Sequence, residues 1–306
     1  MYSKKILMLF LLTIGFSEQW IGINSNEPMK PNVSLVSSDI DNSTILFELS
    51  GYSMNSVLID DVEYFNIQFP TSASILDEGK PNLPKYSSSI IIPDRKNMNI
   101  EIISRDFIDY ENINIAPSKG NFSRMINPED VPFTFNDIYE NNSFYPENIA
   151  QLNTPYILRD YRGQVVEFHP VQYNPITKTL RVFTKIEVLV STDNGSVVNP
   201  FERVKEIEKI DNEYKSIYSS HFLNFDNQNS RFDYLSDHGN MLIISDGNFI
   251  STMQPLIDWK NKKGIPTEIV NVSSIGTNAS SISSYVSNYY NTNGLTFLLL
   301  VGDIAQ

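Results

Sequence analysis

The sequence predicts a β-rich amino-terminal domain, a sandwich or barrel, followed by the first part of an α/β domain with a parallel sheet. Three observations carry this. Leu180, Val182, Thr184, Ile186, Val188 and Val190 alternate with Arg181, Phe183, Lys185, Glu187 and Leu189, the period of two that a half-buried strand requires. Met241-Leu242-Ile243-Ile244 is a continuous apolar run of the kind that is buried on both faces. Between residues 240 and 301 the pattern runs strand, helix, strand, helix, strand, which is the grammar of parallel sheets with crossover helices.

Elements of the first region follow in order. Thr44–Leu49, Val62–Phe69, Ser88–Ile92 and Asn97–Ile103 read as strands, broken by segments such as Pro81-Asn82-Leu83-Pro84 and Asn127-Pro128. Val165–Tyr173 reads as one extended run, and Asn174-Pro175-Ile176-Thr177 as the hairpin turn into Leu180–Val190. No repeat of fixed period is visible, and residues 18–200 are taken as one β-rich domain. Residues 201–239 change character. Phe201, Val204, Ile207, Ile210, Tyr214, Ile217 and Tyr218 recur at three-to-four spacing, which predicts an amphipathic helix. The polar stretch 224–239 then reads as an exposed junction whose basic residue, apart from His238, is Arg231.

In residues 240–306 the strands are Met241–Ile244, Glu268–Val272 and Leu295–Val301. The first helix presents Phe249, Met253, Leu256 and Ile257 on one face, and Pro255 either begins it or kinks it. Lys260, Lys262, Lys263 and Gly264 suit its last turn and stop. The second carries Ile282, Tyr285, Val286 and Tyr289, with Asn278 or Ser280 as cap. A parallel sheet usually has about five strands, so this domain is expected to be incomplete, with Leu298, Leu299 and Leu300 in an edge strand that nothing covers.

Composition narrows the chemistry. The 306 residues carry 23 Lys+Arg against 36 Asp+Glu, a formal charge of -13, which disfavours neutralising a phosphate backbone and so excludes nucleic acid as the expected partner. At 41% apolar and 12% aromatic the chain can bury a core. It has no Cys, hence no disulfide, thiolate zinc site or cysteine nucleophile of its own. Residues 1–17, MYSKKILMLFLLTIGFS, join Lys4 and Lys5 to a short apolar run with small residues near Ser17. That is the pattern of an export signal and is too short for a membrane-spanning helix. A secreted or cell-surface location without a transmembrane anchor is expected.

Candidate catalytic residues are few. His169, His221 and His238 do not share metal-site spacing, and no His-Glu-x-x-His, Gly-x-Ser-x-Gly or phosphate-cradling glycine loop is present. All three His are expected to be structural or surface residues, and Asp60-Asp61 and Asp106/Asp109 solvated surface. Asp303 follows a central-looking strand at its carboxyl end, where open α/β sheets build their sites. It is a candidate ligand for a hard cation such as calcium, or a substrate contact; a helix cap or loop hydrogen bond is the structural alternative.

Four segments then resemble one family in order. Glu78-Gly79-Lys80-Pro81-Asn82-Leu83-Pro84 and Pro170-Val171-Gln172-Tyr173-Asn174-Pro175 resemble the propeptide of the gingipain-type cysteine peptidases. Leu256-Ile257-Asp258-Trp259-Lys260-Asn261-x-x-Gly264 and Leu299-Leu300-Val301-Gly302-Asp303 resemble the opening of its catalytic domain. The resemblance implies a zymogen: a caspase-like α/β domain using a His–Cys dyad and structural calcium, masked by a β-rich propeptide that contacts its own catalytic domain until cut away. Neither dyad residue has a counterpart here, so this chain by itself is expected to be inactive. Arg231 matches the basic residue that fills the specificity pocket at the junction in basic-specific members, and Asp303 matches a calcium-ligand aspartate. The competing reading is a non-catalytic secreted β-domain inhibitor or an adhesion or binding module.

Overall fold

The structure is a computed structural model that describes residues 19–203, 207, 209–228 and 235–303. Residues 1–17, expected to form an export signal, and Arg231 lie outside the described residues. The chain divides after Glu202 into two compact units.

The first unit is all β. It runs β1 (Gln19–Gly22), β2 (Asn32–Ser38), β3 (Asn42–Glu48), β4 (Gly51–Ile59), β5 (Val62–Gln68), β6 (Ala73–Ser74), β7 (Pro84–Ile91) and β8 (Asn97–Tyr110), then β9 (Ala150–Leu152), β10 (Tyr156–Leu158), β11 (Tyr161–Phe168), β12 (Val171–Asn174) and β13 (Thr179–Asp193). These form a three-stranded sheet in the order β1-β4-β5 and two five-stranded sheets. One is ordered β10-β11-β7-β6 with β9 also on β11; the other is β12-β13-β3-β2 with β8 also on β13. The two larger sheets meet face to face through Phe47 of β3 and Phe168 of β11, both fully buried, whose rings stack 5.1 Å apart. This makes the unit a sandwich.

Strand β13 is the spine. Leu180, Val182, Ile186, Val188 and Val190 are all fully buried, as the alternation predicts. Phe183, on the opposite phase, is also buried and packs edge-to-face on Phe107 beside a register shift against β8. Asp60 and Asp61 form the two-residue loop between β4 and β5, both at positive φ. Such tight hairpins need left-handed backbone at both central residues, which short polar side chains tolerate.

One expectation is corrected here. Val165–Tyr173 is two strands in different sheets, since β11 pairs with β7, β9 and β10 while β12 pairs with β13. The break falls at His169-Pro170, because Pro has no N–H to continue a ladder. His169 therefore lies between strands.

The second unit contains β14 (Lys209–Asp211), α1 (Asn212–His221), α2 (Phe225–Gln228), β15 (Leu235–Asp237), β16 (Met241–Ser245), α3 (Ile250–Lys262), β17 (Thr267–Asn271), α4 (Ala279–Asn293) and β18 (Phe297–Val301). The long amphipathic helix expected over 201–218 is shorter. Helix begins only at Asn212, because Ile210 sits in β14, paired in parallel with β15. Nor is 224–239 simply an exposed junction: Asn224 and Phe225 are buried.

Strands β17, β16 and β18 make a parallel sheet with β16 in the centre. Its two faces are both packed. Met241 and Ile243 join Ile257 and Ile265, with Met253, Leu256 and Leu299 against them; Leu242 and Ile244 join Tyr289, with Ile282, Tyr285 and Val286. The continuous apolar run of β16 is thus explained by helices on both sides. Pro255 lies inside α3, so the helix starts before it. Gly264 at φ 81° ends α3, and Ile265 donates back to the Lys260 carbonyl. Of the two candidate caps for α4 it is Asn278, whose side chain accepts from the Ser281 N–H. Strand β18 is an edge; Leu298 and Leu300 are exposed, whereas Leu299 is packed on the α3 side.

Candidate functional site

The carboxyl edge of the parallel sheet is the place where an α/β fold gathers functional groups. Strands β16 and β18 end side by side, Ser245 opposite Val301. A pocket of about 510 Å³ opens beyond them, lined by Ile244, Asp246, Thr277, Ile282, Gly302 and Asp303 among others. Asp303 stands exposed on its rim, after an edge strand of the described sheet and not a central one. The central strand, β16, is followed directly by Asp246, which sequence reasoning passed over although it lies two residues after the apolar run. The Asp246 side chain accepts from the Asn248 N–H at 2.9 Å, and its own N–H donates to the Val301 carbonyl. Asp246 is thereby fixed as the cap of the turn leading into α3.

Two carboxylates on one pocket wall fall short of the six to eight oxygen ligands that calcium takes. Among the described residues no group of three or more His, Asp or Glu comes together as a metal site. These residues by themselves do not complete a calcium site.

The three histidines are distributed away from this edge. His238 is exposed with Nδ1 3.1 Å from Glu213 Oε1. His221 is the last residue of α1, and burial holds its imidazole below the usual value. His169 is buried in the β-rich unit, between the Asn148 carbonyl and Glu167. Glu167 in turn accepts from Lys85 at 2.9 Å and from Gln151 at 3.0 Å. Burial pushes the Glu167 carboxyl up, but the Lys85 ammonium, with the His169 and Gln151 hydrogen bonds, outweighs it and holds the group below the ordinary carboxylate range. Asp109 is not simply solvated surface. It takes both Arg181 Nε and Nη2 at 2.8 Å, and the guanidinium lies over the rings of Phe107 and Phe144.

The chain is thus a β-sandwich unit followed by a parallel-sheet unit whose carboxyl edge carries the pocket. Comparison with known proteins makes the class specific. Residues 24–232 match the C25 propeptide family and residues 234–306 match peptidase family C25. The chain belongs to the gingipain-type C25 cysteine peptidase family and comprises its propeptide and the start of its peptidase domain. It is 32% identical over 308 aligned residues to Gingipain R2 of Porphyromonas gingivalis, covering 98% of this chain and 42% of that protein. Gingipain R1 of the same species is 34% identical over 80% of this chain, and Lys-gingipain 25% identical over 98%. The chain thus spans about two fifths of the length of Gingipain R2. Among solved structures, the complex of Porphyromonas gingivalis RgpB pro- and mature domains aligns with a TM-score of 0.60 and 35% identity, covering 65% of this chain and 98% of that one. Among the described residues, no helix is long and apolar enough to cross a membrane.

Proposed function

We propose that the chain is the propeptide and leading part of a secreted cysteine endopeptidase zymogen, in which the β-rich unit masks the active site of its own peptidase domain. The observation that supports this most is the propeptide match over residues 24–232, joined to a 35% identical fold neighbour solved as a pro- and mature-domain complex. Peptide bonds are the expected substrate, attacked by a thiolate and acid–base His that these 306 residues do not supply as a pair, since they contain no Cys. Export rests on the charged and apolar pattern of residues 1–17. Cleavage in the junction at Arg231, the family's basic position, begins the removal of the mask; unchanged maturation of an Arg231→Ala protein would remove that role. Asp303 contributes one oxygen ligand to a structural calcium, completed by groups other than the described residues.

The deciding experiment adds the 306-residue chain to mature Gingipain R2 and follows cleavage of a peptide substrate. Stoichiometric suppression is expected. Undiminished cleavage at about tenfold excess overturns the masking role and favours the competing reading of a non-catalytic adhesion or binding module.

A further inference from the structure

The matched propeptide runs to residue 232, yet the fold does not divide there. The compact units part after Glu202, which leaves Lys209–Gln228 inside the peptidase unit. Four separate contacts tie this segment to residues beyond the junction. Strand β14 pairs in parallel with β15, with Lys209 opposite Leu235, Ile210 opposite Ser236 and Asp211 opposite Asp237. Asp211 Oδ2 accepts from Thr296 Oγ1 at 2.6 Å. Glu213 lies 3.1 Å from His238 Nδ1 through one carboxylate oxygen and accepts from the Gly239 N–H at 3.4 Å through the other. The Tyr214 ring stacks on Phe297, with centroids 6.1 Å apart and planes within 24°.

All four anchors lie at the amino edge of the parallel sheet. Residues 235–239 lead into β16, Thr296 immediately precedes β18 and Phe297 begins it. The pocket with Asp246 and Asp303 lies at the other end of the same strands, five residues or roughly 16 Å away. The anchors therefore leave the carboxyl edge open. Releasing the segment would expose Ile210, now 3% accessible, to water and break the hydrogen bond between Asp211 and Thr296. Both changes oppose release.

We propose that Lys209–Gln228 is a lasting structural part of the peptidase unit. Resting on the zymogen reading, the inference is that hydrolysis in the junction between Gln228 and Leu235 does not free this piece. Water adds across one peptide bond, leaving a carboxylate and an ammonium, while the strand–helix piece stays docked along the amino edge. The peptidase unit is then two-piece, and the β-rich unit before residue 203 stays tethered to it until a second peptide bond, between Glu202 and Lys209, is hydrolysed.

The test uses the full chain with recognition sequences for two foreign endoproteases, one replacing residues 204–206 and one within 229–234. After both cuts, native mass spectrometry is expected to find the 207–228 piece bound to the piece that begins near 235. Amides of α1 are expected to exchange about tenfold or more slowly than in the free peptide. A Thr296→Val, Tyr214→Ala double variant is expected to release it. Release from the otherwise unaltered chain overturns the proposal, as does a folded double variant that retains the piece equally well; if that variant fails to fold, the unaltered chain decides alone. Because the cuts are made by foreign enzymes, release leaves the zymogen reading standing. That reading fails separately, in the inhibition assay.

Discussion

His169 Nε2 lies 3.1 Å from Glu167 Oε1 while its Nδ1 lies 2.7 Å from the Asn148 carbonyl, so both ring nitrogens of a buried imidazole face acceptors. Glu167 meets the donors of Lys85 and Gln151 as well, which makes it the hub joining β7, β9 and β11. Its folded carboxyl sits below the ordinary value of 4.5. The stability it contributes is therefore complete above about 4.5 and is lost as the pH falls through the lower folded value. Glu167→Gln is expected to cost about 2 kcal/mol at pH 7 and to flatten the acid limb of the stability curve, measured by urea unfolding between pH 7 and pH 3. An unchanged acid limb would show that the network does not govern acid lability.

Arg162 supplies a second clamp within the β-rich unit. Fully buried, it donates to the carbonyls of Pro93, Lys96, Val198 and Asn199 at 2.7–2.9 Å, fastening the loop that follows β13 to the β7–β8 turn. Arg162→Ala removes four hydrogen bonds together with a fully buried side chain and is expected to lower stability by about 3 kcal/mol. Arg162→Lys is expected to recover little, since an ammonium cannot span four acceptors set by a planar fork. Thermal unfolding of both variants checks this.

Gly239 has no room for a side chain: a Cβ there would lie 2.2 Å from Thr296 Oγ1 and 2.4 Å from Thr296 Cβ. Gly239→Ala is expected to destabilise the second unit by about 2 kcal/mol and to loosen the Asp211–Thr296 bond. Thr296→Gly in the same chain should relieve part of the clash, while still lacking the hydroxyl. Hydrogen exchange across β16 and β18 reads both effects.

For Asp303, calorimetric titration of the complete protein with calcium is the direct measurement. Asp303→Ala is expected to weaken binding by about tenfold. Equal binding by the variant would return Asp303 to a loop role.

Much of the fold was legible wherever one kind of periodicity ran undisturbed. The apolar even positions of Leu180–Val190 are buried as the alternation demands, with Thr184 half-buried, and the run Met241–Ile244 is buried on both faces. What escaped was set by polar strands and by partners distant in sequence. In strand β4, Gly51–Ile59, Ser56 interrupts the alternation of Tyr52, Met54 and Leu58, yet the strand is held between β1 and β5. Ile210 fits a helical stripe in sequence, but parallel pairing with β15 places it in a strand. At the candidate site, Asp303 was visible from its place after β18, while Asp246 became visible only once β16 proved to be the central strand.

By itself the sequence determined the two-part grammar, the gingipain-type family and the absence of a thiol nucleophile from these 306 residues, because residue chemistry and local period are written residue by residue. Tertiary structure alone decided which distant segments pair. The change of character at residue 201 is legible in the sequence, but nothing in Asp211 announces Thr296, 85 positions onward. Such a pairing follows from which surfaces find partners on folding, and those partners come from chain segments too far apart for any local pattern to register.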